Sequence, residues 1–531
     1  MNRILSNKLY LYMTEFFAGV AVMAVELGAS RLLAPYFSSS QIVWTIIIGT
    51  IMIALALGNI WGGRMADKDP NPDRLYMRLI IAAVRIGLIP LVGKYIIIGV
   101  SGLMVLAVNT GFLVAAAFVS CLVVFFYPLF LLGTVTPSLV KYTMQSMDDS
   151  GKVVGYMESF NTVGSILGTF LPTFVTIPAV GTSVTFLIFS AVLLALGVIY
   201  FAAVKREMVK CTAAAILILI SAIFGHSDSF AFWEKDLTYE GESIYNYLQV
   251  RENPRSVILS TNVLFGVQSV AMKDGGLTGM YYDYALAAPY LSASWTDAPD
   301  VLILGMGSGT YATLCRKYFP DADISGAEID GDIIRLAREH FGMPEDVNVA
   351  EYDGRAYLAA DDRKYDVIMV DAYQDITIPF QMSTTEFFTM VKEHLEPDGV
   401  MVVNLNMHSG DADSINAHLS DTIASVFTSV YTADVPGTTN RELFAWNGAV
   451  RTLSEVIPEV EDFRLASKLA QVEGDLAPYK AGGLILTDDK APVELLGMRV
   501  IDDLITEELA YYKRILDRDG LGGLIRSLTG G

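Results

Sequence analysis

Three acids and three glycines between residues 299 and 371 are spaced to handle a nucleoside. The stretch PDVLILGMGSGTYATLCRKYFPDADISGAEID, residues 299–330, places Gly305, Gly307 and Gly309 directly after a short apolar run, with Ser308 inside the turn. Glycine there lets backbone N–H groups approach a ligand at a helix N-terminus. A second apolar run ends about twenty residues on in Glu328, where a carboxylate can accept both hydroxyls of a ribose. Asp330, beside it, is counted with the same cofactor-binding set. Asp353 and Gly354, in EYDGRAYL, stand where a third strand would end and an adenine amino group could be bound, and Asp371 closes a fourth run, YDVIMVD. A single acid of this kind is ordinarily a turn at a strand end. Three in order converge on the crevice where open α/β sheets bind ligands, and favour a ligand.

The elements that must hold these residues follow from the runs themselves. VLIL is a short continuous apolar segment suited to a buried parallel strand, and a helix-forming stretch follows the glycines. A dinucleotide fingerprint reads GxGxxG, whereas this turn reads GMGSG, the form of adenosylmethionine-binding folds. The fold expected is a multi-span α-helical membrane domain over 1–226. A small β-rich entry segment follows over 227–284. Residues 285–531 form an α/β Rossmann-like domain of the adenosylmethionine-dependent transferase type, with a C-terminal extension that has helical periodicity around 452–474 and 499–516.

Composition draws the first boundary. Hydrophobic residues make up 53% of the 531, above the globular norm. They concentrate before His226, in candidate spans near 9–33, 42–63, 77–99, 112–140, 155–177, 182–203 and 211–225. The first carries Glu15, Glu26 and Arg31, too many charges for a cleaved signal peptide. Of 37 Lys and Arg and 58 Asp and Glu, 14 and 9 lie in residues 1–226, and 23 and 49 after them. A domain that acidic is repelled by phosphate backbones, which excludes nucleic acid as a partner, and its field attracts cationic small molecules. Cys121, Cys211 and Cys315 are widely spaced, and the five histidines form no zinc spacing, so no metal is expected.

Basic clusters at Arg64–Arg78, Lys141–Lys152 and Lys205–Lys210 mark cytoplasmic loops by the positive-inside rule. With seven spans that rule sends the acidic domain outside, whereas the cytoplasmic supply of adenosyl compounds places it inside, and the second argument is given more weight. The expectation is a multi-pass cell-membrane protein in contact with lipid, its catalytic domain cytoplasmic, with a homodimer left open. Glu15, Glu26, Arg31, Arg85 and Glu158 are costly in hydrocarbon and should line a polar cavity or pair with one another.

From about Glu242 to His408 the chain resembles the spermidine synthase family of polyamine aminopropyltransferases, in particular its membrane-fused branch, to which LLAPYFSSSQIVW and LLGTVTPSLVKY in the helical half are also similar. ESIYNYLQV is similar to the family's entry strand, with Asn246 where relatives carry a nucleoside-contacting Gln, and LFGVQS to the turn ending in Gln268. MYYDYALAAPYL resembles the family's amine-site helix, which places Tyr281 at the tyrosine, Tyr282 at a Gln/His position and Asp283 at the acid. LTDDKAPVE, with Asp488 and Asp489, looks typical of the membrane-fused relatives.

The resemblance implies transfer of an aminopropyl group from decarboxylated S-adenosylmethionine to a small amine, with release of methylthioadenosine. An amine is protonated at neutral pH, so the site needs a base, implied to be Asp371, and aromatic walls, implied to be Tyr281 and Tyr245. Two positions depart from the family pattern. Its glycine turn GGGDG has an acid that grips the donor's ammonium, where this chain has Ser308, and its DxxD pair becomes DAYQD, leaving Gln374 or Asp375 for the acceptor's far end. Two other readings therefore stand beside the first: methyl transfer from intact S-adenosylmethionine, and a membrane transporter or sensor with an adenosyl- or polyamine-binding domain.

Overall fold

The computed structural model describes residues 7–528, apart from 109–110, 145–149, 226–228, 235, 264–266, 294–296, 373–377 and 407–410. The chain divides into two compact units, one of Met1–Phe232 with Thr506–Gly531, the other of Trp233–Ile505. The last 26 residues thus group with the helical unit and not with the Rossmann-like one, where Lys513 donates to the Val108 carbonyl at 3.1 Å.

In the first unit, four helices among the described residues are long and apolar enough to cross a membrane: Lys8–Phe37, Gln41–Lys68, Phe112–Thr143 and Ser150–Val204. The pair Pro72–Gly87 and Ile89–Met104, bent by 66°, makes up to five, and Met208–Phe224 is a shorter apolar helix. Two of the seven expected spans, 155–177 and 182–203, fall within Ser150–Val204, interrupted at Gly181, whose φ of +77° is outside helical geometry. Turns of π-helix at Leu122–Phe126 and Pro172–Thr176 precede Pro128 and Pro178. Proline lacks an N–H and crowds the preceding turn, so the helix widens there. Helices Lys8–Phe37 and Ser150–Leu171 touch backbone to backbone: a Cβ at Gly164 would lie 2.1 Å from the Phe16 carbonyl oxygen, and one at Gly168 2.3 Å from that of Val20. Small residues permit this approach between apolar helices.

The second unit holds two sheets. An antiparallel meander of β1 (Leu237–Glu242), β2 (Tyr247–Glu252), β3 (Ser256–Ser260) and β4 (Ser269–Met272) forms the entry segment. An eight-stranded sheet follows, made of β5 (Asp300–Leu304), β6 (Asp323–Glu328), β7 (Asn348–Glu351), β8 (Tyr365–Val370), β9 (Leu395–Leu405), β10 (Ser429–Asp434), β11 (Arg441–Trp446) and β12 (Ala477–Pro478). Its order is β12-β10-β11-β9-β8-β5-β6-β7. The five strands from β9 to β7 are parallel, and β11, β10 and β12 extend them antiparallel. In β5 and β8 four consecutive side chains are buried, as strands covered on both faces require. This is the Rossmann-type architecture expected from the sequence.

Candidate active site

The C-terminal ends of β5, β6 and β8 and the start of the helix Gly354–Ala360 border one crevice of about 230 Å³. Of the residues singled out in the sequence, Tyr245, Asn246, Gln268, Gly305, Gly307, Glu328, Asp353, Gly354 and Asp371 line it. Thr261, Ile329, Pro379, Gln381 and Met382 complete the walls and carried no signal beforehand.

Gly305 has φ +90°, and a Cβ there would lie 2.5 Å from the Asp371 carbonyl oxygen, so the first turn of the site tolerates only glycine. Glu328 is buried. Its carboxylate accepts from Gly307 N at 2.9 Å and from Asp330 N at 3.2 Å, which ties the glycine turn to the end of β6, while burial pushes it above the usual carboxylate range. Asp353 caps its helix, accepting from Ala356 N at 2.8 Å, and keeps its other oxygen toward Gln381 Nε2 at 3.5 Å.

Asp371 lies just past β8 at the floor of the crevice. Tyr281 Oη donates to its Oδ2 at 2.6 Å, and Asn404 Nδ2 to its Oδ1 at 2.9 Å. Asn404 is held in turn by Asn440 Nδ2 at 2.9 Å. Burial raises the Asp371 carboxyl to about 7 against the pull of those two donors, with the Glu328 charge adding to the rise. Tyr281 and Tyr282 pack with ring centroids 4.0 Å apart.

Some expected site residues have other work. Ser308 does not line the crevice; its buried hydroxyl shares a 2.8 Å hydrogen bond with Thr310 Oγ1, which donates to the Val270 carbonyl and pins the turn to β4. Gly309 is packed under Met343. Asp330 is buried away from the crevice, capping the helix Gly331–His340 through Asp332 N at 3.1 Å and accepting from Ser243 Oγ at 2.6 Å and Asn246 Nδ2 at 3.0 Å. It fastens the entry segment to the Rossmann-type sheet. Asp283 is fully buried with its oxygens on Thr278 N and Oγ1 and Gly279 N, holding the turn before its own helix. Tyr282 donates to the Gln268 carbonyl at 3.4 Å. Gln374 and Asp375 lie outside the described residues.

The sequence reading missed Asn404, Asn440 and Glu442. Glu442 pairs with Asn404 across β11 and β9, is fully buried, and neither of its carboxyl oxygens has a hydrogen-bond partner among the described residues. Burial, then the Asp371 charge, holds it well above its ordinary range. The available signal was a polar residue inside an apolar strand, in VVNL and in RELFAW. Asp488 takes a bidentate pair from Arg355, at 2.7 Å on each oxygen, and a 2.7 Å bond from Thr384, while Arg355 also donates to the Gln381 carbonyl.

The spermine/spermidine synthase domain family matches residues 289–444. Polyamine aminopropyltransferase 2 of Pseudomonas aeruginosa is 34% identical over 193 residues, 32% of this chain and 54% of that protein. A crystal structure of a probable spermidine synthase from Corynebacterium glutamicum aligns at 18% identity over 46% of this chain and 98% of that one, with a TM-score of 0.37. A probable polyamine aminopropyl transferase of Bifidobacterium longum is 52% identical over 349 residues, 62% of this chain and 78% of that protein. Identity of that order over most of a relative's length decides the matter: the chain belongs to the spermidine synthase family of polyamine aminopropyltransferases and is itself an aminopropyltransferase.

Proposed function

We propose that the crevice takes decarboxylated S-adenosylmethionine as donor and a small polyamine-type amine as acceptor. The observation that carries this reading is a set of three carboxylates, Glu328, Asp353 and Asp371, facing one crevice with no Lys, Arg or His among its described lining residues. Such a lining favours a ligand with positive charge at the sulfonium and the ammonium and no carboxylate. Intact S-adenosylmethionine brings a carboxylate that no cation here receives, which disfavours methyl transfer.

Each lining residue then has a role. Glu328 accepts the ribose hydroxyls, Asp353 and Gly354 face the adenine, and Gly305 and Gly307 bring backbone close to the donor. Tyr245, Asn246 and Gln268 close the nucleoside side. Asp371 takes a proton from the acceptor's ammonium, and the freed nitrogen attacks the propyl carbon next to sulfur. A C–N bond forms, the C–S bond breaks with its electron pair going to sulfur, and neutral methylthioadenosine leaves. Tyr281 orients Asp371 and walls the amine site, so that the base presents one oxygen edge. A base near neutrality suits this proton transfer.

We place the helical unit in a membrane. Many large apolar side chains are exposed on it, including Val209, Phe174, Leu103 and Phe224, as a lipid-facing surface requires. The catalytic unit is placed on the cytoplasmic side, where the donor is made.

Incubating purified protein with decarboxylated S-adenosylmethionine and a panel of amines should release methylthioadenosine. No product with any amine, together with tight binding of intact S-adenosylmethionine, would overturn the donor assignment in favour of methyl transfer. Protease accessibility of the Trp233–Ile505 unit in sealed membranes decides the side.

A further inference from the structure

The helical unit has a cavity of its own, about 360 Å³, lined by Trp61 and Met65 of helix Gln41–Lys68, Met77 and Arg78 of Pro72–Gly87, Phe201 and Lys210. Three acids also border it, and each is already matched. Asp69 pairs with Arg74 at 3.0 Å and Glu207 with Lys210 at 2.8 Å. Asp73 pairs with Arg206 at 3.1 Å and accepts from Tyr200 Oη at 2.5 Å.

Arg78 is different. Among the described residues no carboxylate forms an ion pair with it. Its Nε donates to the Arg74 carbonyl at 3.2 Å and its Nη2 to Ser138 Oγ at 3.3 Å, while Nη1 is buried without an acceptor among the described residues. The guanidinium lies over the Trp61 ring, 5.4 Å from its centroid, which fixes its plane. A guanidinium is always charged and offers its donors as a flat fork suited to two oxygens of one anion. Arg78 lines the cavity and its guanidinium has no carboxylate partner among the described residues, a combination that suits a tetrahedral or planar oxyanion.

The walls narrow the choice. Trp61, Met65, Met77 and Phe201 are apolar, so the ligand joins an anion to hydrocarbon or leaves the apolar part of the cavity unused. The cavity also sits at the helix ends that carry Lys68, Arg74, Lys205, Arg206 and Lys210, the cluster that marks the cytoplasmic face. We propose that Arg78 and Trp61 form a binding site for a phosphate-bearing anion, whose sources are an anionic phospholipid headgroup or free phosphate. The lipid source rests on the membrane placement proposed above; the anion site does not.

The test uses the full-length protein in a zwitterionic detergent, with native mass spectrometry and thermal melting. Phosphatidylglycerol should remain bound and raise Tm, with a preference over phosphatidylcholine of about 10-fold or more, the scale of one charge-assisted fork. Arg78→Gln should abolish the preference, and Arg78→Lys should keep only part of it. Filling the cavity by Met77→Trp, which leaves the guanidinium in place, should also abolish it and guards against misfolding of the Arg78 variants. Inorganic phosphate that binds wild type, depends on Arg78 and displaces the lipid identifies the free anion as the source. Equal phosphatidylglycerol binding by wild type and Arg78→Gln overturns the site, as does wild type that neither discriminates the two lipids nor binds phosphate. Release of methylthioadenosine by the variants serves as an independent control, since Arg78 belongs to the helical unit and not to the catalytic crevice.

Discussion

Two buried carboxyls, Asp371 and Glu442, lie within each other's field, and hydrogen bonding separates them. Asp371 accepts from Tyr281 and Asn404, whereas Glu442 accepts from nothing among the described residues, so the negative charge settles on Asp371 and the proton on Glu442. Turnover should rise with pH through about 7, where the Asp371 carboxyl titrates. Asp371→Asn should lower methylthioadenosine release by about 10²–10⁴-fold, the usual worth of a positioned general base. The same change should help the fold at high pH. The folded value of about 7 exceeds the ordinary 3.8, so the native state binds the extra proton between them. This group's contribution is full below the lower value and lost as pH rises through the upper one. The Asn variant should thus melt higher than wild type at pH 8, by roughly 1–3 kcal/mol after screening by crevice water, and lose that advantage near pH 4. Glu442→Gln keeps the shape and the neutrality and should leave the pH midpoint in place. A midpoint that moves down would mean Glu442 carries charge in the native enzyme. Glu328, Asp353 and Asp371 were legible because a strand end is visible in sequence. Asn404, Asn440 and Glu442 were not, because their meeting depends on β11 lying beside β9 in one particular register.

At the scale of elements, the parallel strands declared themselves by continuous apolar runs closed by an acid, and the glycine turn by its spacing. The antiparallel edge did not. Nothing in RELFAW or SVYTAD marks their place in a strand order, and the periodicity expected at 452–474 and 499–516 corresponds to the helices Phe463–Asp475 and Val493–Leu528, with bounds that packing sets. Asp330, read as a ligand contact, illustrates a general ambiguity: an acid just past a strand end is also an ideal N-cap for the helix that follows. Asp330→Ala should cost about 1–2 kcal/mol in a denaturant titration through the lost cap, and also free the entry segment. The Arg355–Asp488 fork links the TDDKAP loop to the Gln381 wall of the crevice. Arg355→Met should raise KM for the donor several-fold while kcat changes little, because the wall loosens but Asp371 keeps its partners.

The molecule as a whole joins an apolar, mildly basic helical unit to an acidic catalytic one. The acidic field should draw cationic acceptors, so kcat/KM for a polyamine should fall as salt is raised from 10 to 300 mM, through about 30 Å and then below 10 Å of screening length. A neutral amine analogue should show no such fall. Seven spans were expected from hydropathy; among the described residues four helices, or five with the bent pair, are long and apolar enough, and one of them, Ser150–Val204, holds two of the expected spans. Gly181 interrupts one helix, Leu88 parts the bent pair, and Met208–Phe224 has 17 residues, about 26 Å, against a hydrocarbon core of about 30 Å.

The chain of asparagines from Asn440 through Asn404 to Asp371 has a consequence for how such an enzyme changes its diet. The nucleoside is gripped from the ends of β5 and β6 and the helix after β7, whereas the base that serves the incoming amine is steadied by Asn404 on β9, the last parallel strand, which Asn440 holds from the hairpin before β11. The donor's contacts and the chain of residues that steadies the base therefore fall at different positions of the sequence. Substitutions on β11 and in the hairpin before it can retune which amine is accepted, and the grip on the shared donor is left as it was.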